Sequence, residues 1–369
     1  MRRSEEFAVK MERLEQFMAE HELAGLALSR AENFAWLGCG ASNAVVTSSE
    51  TGMGTLLVRP GGATLLANNI ETERLLTEEL DGTGITEAET YPWHEPERRE
   101  EIIGRASAGG RFAADDGSAG LPPLPAEFSR LRYTLTAAEI ERYTALGRDC
   151  AEAMERAARS VERGMTERDV TGVLGRQLLS RGITPVVLFV GADDRITRWR
   201  HCVTKDATVE HCAMLVTCGR RQGLICAITR LVHFGEPGED LRARHEAVCR
   251  VDAAAILATR PGRKVADVFA DVQQAYADSG FPDEWKLHHQ GGATGYLPRE
   301  YLATPGSTEI VHPAQAFGWN PSICGTKSED TILVEDDGTA VLTAPTADWP
   351  VVEAECAGAT LQRADILVK

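Results

Sequence analysis

Gly164-Met-Thr-Glu-Arg-Asp-Val170 recurs in kind as Gly262-Arg-Lys-Val-Ala-Asp-Val268. Each stretch opens a helical pattern that runs to a second glycine at the same spacing, Gly182 in the first copy and Gly280 in the second. Apolar side chains fall at matching offsets, Val170 with Val268, Leu174 with Val272 and Leu178 with Tyr276. Such matching is the mark of one buried face used twice. A long helical stretch precedes each copy. Strand-like runs follow each, at 184–190, 213–218 and 223–228 after the first, and at 315–319, 331–334 and 340–343 after the second. The pattern predicts an internal duplication, two αβ halves around a pseudo-twofold axis. A ligand site is expected in the cleft between those halves.

Upstream, Thr136 and Glu139 have the spacing of a capping box, in which hydroxyl and carboxylate each satisfy a backbone N–H of the first helical turn. The helix they start should run to about Glu162 and stop before Gly164. Residues 107–124 are rich in Gly, Ser and Pro, and a linker is expected from there to about Arg132. Before it, residues 5–20 read as an amphipathic helix, 23–28 as a strand, and 54–58 with 64–67 as a hairpin turning at Pro60-Gly61-Gly62. The expected fold class is α+β, with an N-terminal α/β domain over residues 1–131 and the duplicated domain over 132–369.

The chain has 369 residues, 43% of them hydrophobic and 25% charged, the mix of a globular protein with real cores. Its net charge of -16 argues against nucleic acid and against an anionic membrane surface as partners. No apolar run is long enough to span a bilayer, and Met1-Arg2-Arg3 is not followed by the apolar core of a signal peptide. The nine cysteines form no Cys-x-x-Cys pair and read as reduced thiols of a cytoplasmic protein.

Five stretches carry a more specific signal: Leu215-Val-Thr-Cys-Gly219, Gly223-Leu-Ile-Cys-Ala-Ile-Thr-Arg230, His288-His-Gln-Gly-Gly292, Trp319-Asn-Pro321 and Ser328-Glu-Asp-Thr331. With the duplication, they resemble the creatinase/aminopeptidase P/prolidase family. That resemblance covers nearly the whole chain and implies a creatinase-like N-terminal domain followed by a pita-bread domain. Metallopeptidases of the family hold two divalent ions through two Asp, one His and two Glu. On this chain those positions fall on Thr217, Ala227, Gly292, Asn320 and Glu329. Only Glu329 keeps its ligand. Ala and Gly offer no donor, and Thr and Asn are weak neutral ligands for two dications. The resemblance therefore implies no metal and no cofactor.

The metal-free creatinase branch is the nearer pattern. Its catalytic His falls on His201, in Arg200-His-Cys-Val-Thr204, and its Arg-Glu pair on Arg299-Glu300. By that resemblance His201 activates water and protonates the leaving nitrogen, and Arg299 grips a substrate carboxylate. Two carboxylates that hold creatine's guanidinium are replaced by Thr229 and Asn320, so creatine is not the expected substrate.

Read residue by residue, His201 has the ordinary pKa for general base and acid work, or is a surface histidine. His288 and His289 are adjacent, so on a strand only one faces the cleft, His289 being the expected one. Glu329 is a candidate base or grip, unless Lys327 or Arg299 ties it down. Asn320 can orient a neutral polar group. Thr217 and Thr229 are substrate-binding candidates or ordinary strand residues. Cys218, Cys226 and Cys324 read as small buried residues rather than nucleophiles. Asn43, in Trp36-Leu-Gly-Cys-Gly-Ala-Ser-Asn43, matches the N-domain position that reaches a partner subunit's site in a family homodimer, or is a turn residue. The expected function is metal-independent hydrolysis of a C–N bond in a small polar, carboxylate-bearing molecule, with His201 and Glu329 catalytic. The competing readings are a non-catalytic binding module, a lyase acting on a small zwitterion, and, last, a metal-dependent Xaa-Pro peptidase.

Overall fold

In the computed structural model, Gly164, Gly182, Gly262 and Gly280 have φ of +87°, +68°, +84° and +85°. The two helices they bracket are Glu167–Leu179 and Val265–Asp278. Each helix ends alike, with Ile183 N–H reaching Leu178 O at 3.1 Å and Phe281 N–H reaching Tyr276 O at 2.9 Å. That is the six-to-one bond of a helix end that needs a left-handed residue just inside it. Each helix begins alike too, with Gly164 N–H on Val209 O at 3.0 Å and Gly262 N–H on Val311 O at 2.9 Å. Identical local bonding at both ends of both copies makes the duplication structural.

The structure describes residues 1–356 and 358–369. They divide into two compact units, Met1–Glu139 and Ile140–Lys369. The first holds a five-stranded sheet in the order Ala88–Tyr91, Gly62–Asn68, Thr51–Arg59, Gly25–Arg30, Phe112–Ala114. The helix Arg3–Glu20 buries Met11, Leu14, Phe17 and Met18. Its Lys10 is fully buried, and the ammonium lies 2.6 Å from Glu6 Oε1 and 2.8 Å from Glu139 Oε1. The expected linker is only partly a linker. Phe112–Ala114 pairs in parallel with Gly25–Ala27 and closes the sheet, because its three residues are buried while glycine and serine flank it. Ala126–Arg132 is a 3-10 helix. The capping box forms, with Thr136 N–H on Glu139 Oε2 at 2.7 Å, and the helix runs Ala137–Arg159.

In the second unit, the first half is an antiparallel sheet of Thr184–Ala192, Cys212–Arg221 and Leu224–His233, with Leu367–Val368 added in parallel at one edge. The second half orders Tyr301–Leu302, Gly291–Thr294, Ala316–Trp319, Asp330–Glu335 and Gly338–Val341. Its core packs Val268, Val272 and Tyr276 against Phe317, Trp319 and Ile332. The halves meet where Leu224–His233 runs beside the start of Asp330–Glu335. Ala227 N–H donates to Thr331 Oγ1 at 2.8 Å and Thr229 N–H to Glu329 O at 3.2 Å. Behind that seam, Asp330 accepts from Arg363, from Arg230 Nη1 at 3.1 Å and from Thr343 Oγ1 at 2.7 Å, all buried. Removing one partner of such a network leaves an uncompensated buried charge, which costs about 3–5 kcal/mol. The network therefore pins the strand that presents Glu329.

All nine cysteines are free thiols. No described helix is long and apolar enough to cross a membrane.

Candidate active site

Thr229 and Glu329 come together from the two halves, the hydroxyl donating to Glu329 Oε2 at 2.6 Å. Lys327 stands two residues before Glu329, and its buried ammonium reaches the same oxygen at 2.7 Å. Arg299 Nη2 lies 3.5 Å from the other oxygen. Burial alone would raise the Glu329 carboxyl, but Lys327 and Arg299 outweigh it and hold it at about 2. A carboxylate so held stays ionised and is a weak base. Of the two sequence readings of Glu329, a catalytic base or grip and a carboxylate tied down by Lys327 or Arg299, the packing corrects the first toward the second, because both cations lie against it.

The expectation that only one of His288 and His289 turns inward also fails. The pair does not lie on a strand. It sits between the 3-10 turn Glu284–Leu287 and the strand Gly291–Thr294, so strand alternation does not apply. The two rings stack at 4.4 Å, and both approach His201, at centroid distances of 4.9 Å and 6.1 Å. His201 and His288 share a hydrogen bond between their Nε2 atoms at 3.1 Å. Burial, then Arg299 and Lys327, push His289 down to about 4. Burial, then Lys327 and the other two rings, push His288 down to about 2. His201 is lowered as well, by burial and then Lys327. All three imidazoles are neutral at neutral pH.

Supports behind the rings are visible only in three dimensions. Gln290 Nε2 donates to His288 O at 2.5 Å, and Tyr276 hydroxyl donates to Gln290 Oε1 at 2.8 Å. Arg200, next to His201, is tied to Glu284 and to Ser322 Oγ at 3.2 Å. Phe189 packs edge-on against the His201 ring at 5.8 Å. From the sequence, Lys327 is expected only as a partner that neutralises Glu329. A strand-like spacing of two had already put both on one face.

The remaining candidates divide. Arg299 donates from Nη1 to Pro298 O at 2.6 Å, while its Nε is buried without a partner. It packs so closely on Gly318 that a Cβ there would lie 2.9 Å from Nη1. Asn320 is buried and its Oδ1 has no partner. Both carry unspent capacity for a ligand. Thr217 does not, because its hydroxyl is fully buried and donates to Val187 O at 2.9 Å. Asn43 belongs to the first unit, fully buried, with Nδ2 donating to Ser29 O at 3.0 Å and Gly54 O at 2.8 Å. Its amide ties two strands together. Cys218 is buried, which pushes its thiol up to about 12, and Cys226 is raised for the same reason. Neither supplies a thiolate.

The residues at the family's ligand positions do not fit two dications. A side chain at Gly292 would place its Cβ 2.1 Å from Tyr301 O, so no histidine fits that backbone. Ala227 has no donor, the Thr217 hydroxyl is spent, and an ammonium occupies Glu329 Oε2.

The sequence pattern of metallopeptidase family M24 matches residues 141–337. An uncharacterized peptidase of Staphylococcus aureus is 28% identical over 31% of this chain and 34% of its own. One of Staphylococcus haemolyticus is 25% identical over 58% and 63%. The chain thus spans between a third and two thirds of the length of these curated relatives. Among solved structures, the Xaa-Pro dipeptidase of Bacillus anthracis superposes with a TM-score of 0.78 over 98% of this chain and 100% of that one, at 17% identity. The Pyrococcus horikoshii prolidase gives 0.77 over 92% and 99%, at 18% identity. The N-terminal domain of the chickpea FACT subunit SPT16 gives 0.71 over 94% and 98%, at 13% identity. These likenesses share the pita-bread fold. Fold, duplication and sequence match agree, and the chain belongs to metallopeptidase family M24.

Proposed function

We propose that this protein is a hydrolase that cleaves a C–N bond in a small polar, carboxylate-bearing substrate without the two-metal centre of its relatives. One observation carries the reading. A neutral His201 is hydrogen-bonded to a neutral His288 in the electrostatic reach of a buried Lys327–Glu329 pair. His201 accepts a proton from water as the oxygen attacks the substrate carbon, and returns it to the nitrogen as the C–N bond breaks. Its Nε2 contact with His288 holds the ring for both transfers. Arg299 keeps an unused Nε and can grip the carboxylate, while Asn320 Oδ1 accepts from a substrate N–H. Glu329, itself held by the Thr229 hydroxyl, anchors Lys327, whose charge favours the anionic tetrahedral state.

The reading includes a homodimer, as the family resemblance implies, and a cytoplasmic location, as the unpaired cysteines suggest. The test is a screen of carboxylate-bearing amides, amidines and dipeptides, followed by turnover of the best substrate after exhaustive chelation. Turnover that survives chelation and vanishes in His201→Ala with the fold intact is the expected result. Turnover restored only by two equivalents of divalent metal refutes it. Products lacking an added water indicate a lyase, and no turnover on any class indicates a binding module.

A further inference from the structure

We propose that His201, His288 and His289 form a site for a single borderline transition-metal ion, zinc in kind, distinct from the family's two-metal positions. One nitrogen of each ring lies within 4.8 Å of the other two, the one such cluster among the described residues. A tetrahedral zinc with bonds of about 2.0–2.1 Å separates its ligand nitrogens by about 3.4 Å. The Nε2 atoms of His201 and His288, 3.1 Å apart, are already at that separation. Closing the third ring needs a movement of roughly an ångström, within reach of side-chain rotation at His201, an exposed position outside helix and strand.

The donor set is imidazole alone, without thiolate or carboxylate. Imidazole suits zinc, copper, nickel and cobalt, whereas magnesium and calcium demand oxygen ligands. A second observation points the same way. The Nδ1 atom of His289 is buried without a partner, and a buried ring nitrogen left unpaired costs free energy that an ion bound to it recovers. A shared hydrogen bond between His201 and His288 accounts for two rings and leaves His289 unexplained. The nearby ammonium of Lys327 opposes a cation, but Glu329 at 2.7 Å balances it. The excess charge of Arg299 favours an anion, hydroxide or carboxylate, in the open fourth position. An ion there takes the lone pair that His201 uses as a base, so it silences the proposed hydrolysis. The binding site itself stands without that reading.

The test uses the full chain stripped of metal and titrated with Co2+ at neutral pH. One equivalent should bind with the intense visible absorption of a four-coordinate ion, and one equivalent of Zn2+ should displace it. His289→Gln and His288→Gln should each weaken binding by at least about tenfold. His94→Ala, at an exposed histidine of the first unit, should not change it. In the wild type, Zn2+ should also protect these three histidines from diethylpyrocarbonate, a readout that survives if a variant fails to fold. The spectrum of the six-coordinate aqua ion throughout the titration overturns the proposal. Unchanged affinity in the histidine variants overturns it too, as does loss of affinity in Glu329→Gln alone, which moves the ion to the family position. Turnover is not read, so a failed metal titration leaves the hydrolase standing, and a failed substrate screen leaves the metal site standing.

Discussion

Replacing Lys327 by methionine should destabilise the protein by removing the nearest counter-charge of a buried carboxylate. The substitution keeps the length of the side chain and removes its charge from beside a carboxylate that is 3% exposed. Glu329 has its carboxyl held at about 2 against an ordinary 4.5. At about 1.4 kcal/mol per pH unit, that difference stabilises the folded state by roughly 3 kcal/mol. The sign follows from the direction of the shift. The folded pKa is depressed, so the contribution is full above pH 4.5 and is lost as pH falls toward 2. Without Lys327, only Thr229 and a more distant Arg299 oppose the burial, and the carboxylate is left largely uncompensated. Removing one partner of a buried pair costs about 3–5 kcal/mol. The assay is denaturant unfolding of wild type, Lys327→Met, Glu329→Gln and the double variant, at pH 7 and pH 4. Lys327→Met should lose about 3 kcal/mol at pH 7, and the added Glu329→Gln should restore most of it. The wild type should lose more stability between the two pH values than Glu329→Gln does. A Lys327→Met variant within about 0.5 kcal/mol of wild type, with no rescue in the double variant, refutes the reasoning.

Gly292→Ala should cost more than about 3 kcal/mol, because the new Cβ would meet Tyr301 O at 2.1 Å and backbone cannot swing aside as a side chain can. A variant that unfolds at the wild-type midpoint would show that the strands separate easily, and that the family's histidine could be restored. Once a substrate is found, the acid limb of kcat/KM should have its midpoint below pH 6.5, since burial and Lys327 lower His201 and a base must be unprotonated. A midpoint above 6.5 would remove His201 from that role.

Much of this fold was written in local pattern. The matched glycine brackets, the capping box at Thr136 and the strand-like runs of both halves rely on backbone conformation and short-range periodicity, which neighbouring residues settle among themselves. That Ala227 and Gly292 offer no side-chain donor was equally legible, because a missing donor atom is a property of residue type. Phe112–Ala114 escaped notice because three residues are too few to show alternation, and its strand character comes from pairing with Gly25–Ala27 far along the chain.

The chemistry of the site was not so legible. Whether a carboxylate is a base or an anchored anion depends on what lies within a few ångströms, and for Glu329 those groups are Lys327, Arg299 and Thr229, one of them a hundred residues away. Sequence alone named His201, His288 and His289 but set the last two on opposite faces. Folding brought all three together, because the turn before Gly291 frees both rings from strand alternation while the Gln290 and Arg200 contacts hold the segments that carry them. Residue type settles which donors exist. Their protonation and mutual distance come from long-range packing, which no local pattern encodes.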